Sequence, residues 1–150
     1  MTAPWLSVIG IEAGGLGDLP AVARSLLDAA EVLAGSDRLL AMLPADDRPR
    51  IPWGKPFSTA IESIAAKRGR RVCVLATGDP MDYGVGARLA RRFPAAELTI
   101  VPGRGAFALA CARLGWSRPD IECVTVHGRP VSTLQPHIQP GARLLILSYD

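Results

Sequence analysis

Residues 71–84 read RVCVLATGDPMDYG. The run Val72-Cys73-Val74-Leu75 is apolar, carries β-branched residues at alternate places and is too short for a buried helix, so Arg71 to Ala76 reads as a buried strand. At Thr77 the character changes. Gly78 frees the backbone to turn, and Pro80 pushes Asp79 away from helical dihedrals, so the next helix, running to Phe93, starts late. The loop Thr77 to Gly84 therefore leaves Asp79 and several main-chain amides at the carboxyl end of a strand, where ligands bind in parallel α/β sheets. An Asp-Pro turn in which Asp79 only caps its own loop explains the same residues, and at this point both readings stand.

Outward from this unit, short apolar runs alternate with helical segments. Trp5 to Ile11 reads as a first strand ending in the glycine-rich stretch Gly10 to Gly17. Pro20 opens a helix to about Ala30 that buries Val22, Leu26 and Leu27. Glu31 to Ala34 is a brief second strand, and Ser36 or Asp37 caps a helix carrying Leu39, Leu40 and Leu43. Four prolines between Pro44 and Pro56 mark an irregular connection. Ser58 or Thr59 is the expected cap of a helix through Lys67, Leu98 to Val101 a strand, Pro102 to Gly105 a loop, and Ala106 to Leu114 a helix. This alternation predicts an α/β fold with a mainly parallel sheet.

A boundary is expected near Gly115 to Asp120. It gives an N-terminal α/β lobe over 1–117, then a linker and the beginning of a C-terminal lobe over 118–150. The latter holds strands Ile121 to Val126 and Leu144 to Leu147. Two strands with little helix cannot bury a sheet face alone, so this second lobe is expected to be incomplete.

The 150-residue chain is 49% hydrophobic and 21% charged, the balance of a globular protein with a sizeable core. It has no apolar stretch of membrane-spanning length, and Met1 to Leu6 lacks the form of a secretory signal, so a cytoplasmic protein without a membrane partner is expected. Cys73, Cys111 and Cys123 lie in separate apolar runs, and His127 and His137 are the only histidines. Neither set has zinc-ligand spacing, and no metal is expected. The net charge is +3, and arginine supplies fifteen of the seventeen basic residues. The clusters Arg68, Arg70, Arg71 and Arg88, Arg91, Arg92 read either as solvated helix ends or as a surface suited to carboxylates and phosphates. The eight aromatic residues do not alternate with the arginines, which argues against a nucleic-acid partner.

The first glycine loop fits neither common phosphate fingerprint. A G-x-G-x-x-G start fails at Glu12, and a P-loop fails because Leu16, not lysine, follows Gly15. Taken in order, however, the loops resemble those of the tetrapyrrole methylase superfamily, whose two-lobed fold differs from the common Rossmann methyltransferases. Thr77-Gly78-Asp79-Pro80 resembles its (S/G)GDP motif, Val8 to Gly15 its opening VGxGPG(D/G) loop, and Val101-Pro102-Gly103-Arg104-Gly105-Ala106 its VPGxSS or VPGxTA motif. Ala112-Arg113-Leu114-Gly115-Trp116 and Val126-His127-Gly128-Arg129-Pro130 resemble more narrowly the precorrin-6Y C5,15-methyltransferases and their single-domain C-5 methylating relatives. The similarity extends over nearly the whole chain.

The resemblance implies transfer of a methyl group from S-adenosylmethionine to C-5 of a precorrin ring in cobalamin biosynthesis, by a homodimer. It implies that Thr77, Gly78, Asp79, Asp82, Tyr83, Gly105, Ala106 and Tyr149 border the cofactor, which lies between the lobes in this family. Ala13, Gly14, Arg104 and Arg129 would meet the tetrapyrrole. No catalytic residue is implied: where some relatives carry an aspartate suggested as a base, this sequence has Gly15. Two further departures are Glu12 for a glycine with Ala13 for a proline, and Arg104 for a smaller residue. Two other readings remain: another methylase of this fold, such as a ribosomal-RNA ribose methylase, and a fragment that binds without catalysing.

Overall fold

The computed structural model describes residues 4–148. The chain divides into two compact units, Met1–Gly105 and Ala106–Asp150. The first is built on a parallel sheet of five strands: β1 (Leu6–Ile11), β2 (Val32–Gly35), β3 (Arg50–Pro52), β4 (Val72–Thr77) and β5 (Leu98–Val101), in the order β3-β2-β4-β1-β5. Between them run α1 (Ala21–Ala29), α2 (Asp37–Leu40), α3 (Ser58–Ala65) and α4 (Val85–Arg92). The second unit holds α5 (Ala106–Leu114) and a parallel pair, β6 (Glu122–Thr125) with β7 (Leu144–Leu147).

Successive side chains of a strand point to opposite faces, so β1, β2 and β4 feed two cores. Ile9, Ile11, Leu33, Cys73 and Leu75 pack with Ala23 and Leu27 of α1 and Leu39 and Leu40 of α2. Leu6, Val8, Val32, Val72 and Val74 pack with Ile64 of α3, Leu89 of α4 and Phe93. Burial pushes the Cys73 thiol up to about 11, so it remains protonated and behaves as a small hydrophobe within the first core.

The structure departs from the sequence reading in local detail. The proline-rich connection contains β3, which pairs with β2 from Leu33↔Arg50 to Gly35↔Pro52. Proline is tolerated there because β3 is an edge strand. The helix expected to carry Leu43 is a single turn, though Leu43 is buried beyond it. α3 begins after Phe57 with no side-chain cap, so neither Ser58 nor Thr59 has that role. Val22 is 55% exposed, and Ala23 takes the inward place expected for it.

At the carboxyl edge three main chains meet. Gly78 donates its N–H to the Ile11 carbonyl at 2.8 Å, and its own carbonyl accepts from Gly103 N at 3.1 Å. A Cβ on Gly10 would overlap both the Gly78 carbonyl oxygen and the Gly103 nitrogen. One on Gly103 would lie 2.9 Å from the Gly10 carbonyl. The glycines thus let the β1, β4 and β5 loops cross in contact. Gly10→Ala is expected to lower stability by about 1–3 kcal/mol, the usual cost of forcing a carbon into filled space. Gly54→Ala, whose Cβ would meet nothing within 4 Å, serves as the neutral comparison. Thermal melts of the two variants check this.

Candidate functional site

Because β4, β1 and β5 are adjacent and parallel, the loops leaving them gather at one edge of the first unit. In the β4 loop, Asp79 Oδ1 accepts from Met81 N at 2.8 Å, and the Asp79 carbonyl accepts from Asp82 N at 3.2 Å. Asp79 is therefore a local cap as well as a rim residue. Pro80 is fully buried, and Cβ atoms added to Gly84 or Gly86 would fall within 3 Å of it. Tight packing here holds Tyr83 at φ +55°, a left-handed conformation that costs an ordinary residue roughly 1–2 kcal/mol. Tyr83 is half exposed. Gly105 approaches the same loop: its Cβ would lie 3.0 Å from Asp82 Oδ2 and 3.2 Å from Asp79 Cβ. Asp79, Asp82 and Gly105 thus stand together.

Two of the residues that depart from the motifs the loops resemble, Glu12 and Arg104, meet each other. Glu12 Oε1 accepts from the Arg104 backbone N–H at 2.8 Å, and Oε2 accepts from Arg104 Nε at 2.5 Å and pairs with Nη2. The clasp ties the β1 loop to the β5 loop. Hydrogen bonds from the Arg104 side chain and backbone hold the Glu12 carboxyl below the usual carboxylate range, and the same contacts raise Arg104. Arg104 remains 66% exposed, so its other N–H groups reach solvent.

Of the other residues singled out in the sequence, Thr77 ends β4 and its hydroxyl accepts from Arg38 Nη2 at 3.0 Å. Arg38 was not singled out; its placement directly after β2, at the same strand ends, was the available signal. Gly78 is buried, with its N–H and carbonyl both bonded within the protein, so only its surface is left for a ligand. Ala13 and Gly14 are exposed in the β1 loop, where a Cβ on Gly14 would overlap the Asp18 carboxylate. Ala106 opens α5, and exposed Arg129 follows β6 with its N–H on the Val126 carbonyl at 3.1 Å; both belong to the second unit. Tyr149 lies outside the described residues.

Among the described residues, no three metal-ligating side chains gather, and no helix is long and apolar enough to cross a membrane. The β4 loop offers two carboxylates, a phenol and closely packed main chain.

The profile of the Tetrapyrrole (Corrin/Porphyrin) Methylases matches residues 6–146. The chain belongs to this family. It is 41% identical to a precorrin-6Y C(5,15)-methyltransferase [decarboxylating] of Sinorhizobium sp, over 100% of this chain and 37% of that protein. It is 36% identical to the cobalt-precorrin-7 C(5)-methyltransferase of Salmonella typhimurium, over 85% of this chain and 63% of that one. The chain therefore spans less than two thirds of the length of either relative. A crystal structure of the precorrin-6Y methylase of Archaeoglobus fulgidus superposes with a TM-score of 0.68 at 27% identity, covering 96% of this chain and 72% of that one. The α/β fold with a mainly parallel sheet is thus shared with a methylase of the family.

The clasp has a pH signature. With its pKa lowered, ionised Glu12 stabilises the fold at every pH above the ordinary carboxylate range, and that contribution is lost as pH falls through the lowered value. The stability difference between the wild type and Glu12→Gln should be constant above about pH 5 and shrink as pH falls below the ordinary carboxylate range. Urea midpoints across that range measure it, and a gap that ignores pH would contradict the assignment.

Proposed function

We propose that this chain carries the C-5 methylating site of a precorrin methyltransferase of cobalamin biosynthesis, with S-adenosylmethionine as donor. One observation carries the proposal: the three loops quoted from the sequence lie side by side at one sheet edge, in a chain matched by the family profile over residues 6–146. The names and identities of the relatives point to the same reaction.

In this reading Thr77, Gly78, Asp79, Asp82, Tyr83 and Gly105 border the nucleoside, and the resemblance in sequence adds Ala106 and Tyr149. The residues fit such a guest. Carboxylates and a phenol suit the hydroxyls and the positive sulfur of a sulfonium nucleoside, and Gly105, where a Cβ would crowd Asp79 and Asp82, leaves the loop open. When bound, S-adenosylmethionine supplies the methyl group. The chain's part is to hold the ring carbon in line with it and to exclude water, so positioning provides most of the rate gain and no strong base is needed. Ala13, Gly14, Arg104 and Arg129 face the ring, and Arg104 offers its outward N–H groups to ring carboxylates. The enzyme works in the cytoplasm as a homodimer without nucleic acid, membrane or metal.

Calorimetry of the chain with S-adenosylhomocysteine should give saturable heat. Gly105→Val should weaken this binding by about tenfold, a loss of 1.4 kcal/mol. Asp79→Asn, which retains the turn acceptor but removes the charge, should weaken it less. Wild-type chain that is folded by circular dichroism yet gives no heat would reject the nucleoside site. Arg104→Ala should weaken tetrapyrrole binding more than S-adenosylhomocysteine binding, and equal losses would reject its assignment to the ring.

A further inference from the structure

We propose that Arg38 is a carboxylate-binding residue for the tetrapyrrole; this rests on the ring-methylation reading above. Arg38 stands three residues beyond the end of β2, at the edge where the β4 loop begins. Ser36 Oγ accepts from Leu39 N at 3.3 Å, and Leu39 and Leu40 are buried, so α2 is anchored and its Arg38 face turns to solvent. From there the side chain reaches the adjacent strand's end, where Nη2 donates to Thr77 Oγ1 at 3.0 Å.

The charge balance at this edge favours Arg38. The Arg104 guanidinium is neutralised by Glu12, as that of Arg48 is by Asp46. Among the described residues, Arg38 meets no carboxylate; its contact is the neutral Thr77 hydroxyl. An uncompensated guanidinium attracts a polyanionic ligand more strongly than a paired one. Four of its five N–H donors remain after the Thr77 bond, enough for the two-pronged grip on a carboxylate. The Thr77 bond also holds the long side chain across the loop, which reduces the rotamer freedom lost on binding. Arg91, another exposed arginine that meets no acid among the described residues, lies in the last turn of α4, away from the loops that begin that helix.

The test uses the chain with two porphyrins as probes: uroporphyrin, which carries carboxylates on every pyrrole, and octaethylporphyrin, which carries none. Fluorescence quenching should show wild type preferring uroporphyrin, with the preference falling as salt rises. Arg38→Gln should weaken uroporphyrin binding by about tenfold, the loss of a charged hydrogen bond. Arg38→Lys should recover part of it, and Arg91→Gln should match wild type. Affinity for S-adenosylhomocysteine should be the same in all variants. Undiminished uroporphyrin binding by Arg38→Gln, or an equal loss of S-adenosylhomocysteine, would overturn the role of Arg38 while leaving ring methylation standing. Wild type that binds neither porphyrin would overturn ring methylation itself and the role of Arg38 with it.

Discussion

The close crossing of main chain at Gly10, Gly78 and Gly103 is the constraint on which the loop edge depends. The three residues come from loops far apart in sequence, and parallel pairing of β4, β1 and β5 brings them side by side. The backbones can then touch only where side chains are missing. Gly78 N–H bonds to Ile11 and its carbonyl takes Gly103 N–H, so the crossing also satisfies polar groups that would otherwise be buried without partners. The glycines of the motif are therefore required by packing before any ligand is considered. This places Asp79, Asp82 and Gly105 at one point without long side chains to steer them.

Charge at the same edge is distributed by pairing. Glu12 and Arg104 both depart from the small residues usual in the family, and they do so together. Alone, Glu12 would add a negative charge beside the ligand loops. Alone, Arg104 would wave a flexible cation. Joined through the backbone N–H as well as the guanidinium, they become a nearly neutral strut between two loops. The net attraction for an anion then shifts toward Arg38, whose partner is a hydroxyl.

Much of this was legible in the sequence, for physical reasons. The buried run Val72 to Ala76 admits few readings but a central strand, and the glycine and proline after it fix where the strand ends. The alternation of such runs with helical segments then set the fold class. Other features depend on tertiary contacts that no local pattern encodes. β3 forms because β2 offers an unpaired edge to Arg50–Pro52, despite Pro49 before the strand and Pro52 at its end. Val22 and Ala23 differ only in which side of α1 meets the sheet. The Glu12–Arg104 clasp joins residues 92 apart in sequence, and was visible only as two separate oddities. Arg38 gave no local signal beyond its place after β2.

A site of this kind needs rigidity more than reactive groups. Under the proposed methyl transfer, aligning a donor methyl with a ring carbon tolerates errors of well under an ångström, so the walls must resist small displacements. Strain at Tyr83 is informative here, since a left-handed tyrosine persists only where its surroundings over-determine it. Those surroundings are buried Pro80, pressed by Gly84 and Gly86, and the cap from Asp79 to Met81. The loop is therefore held from within its own sequence by an Asx turn and a buried ring, and from outside by the glycine crossing. A loop fixed in both ways can present Asp79, Asp82 and Tyr83 in one arrangement before any ligand arrives, and that is the physical content of the Asp-Pro motif in this chain.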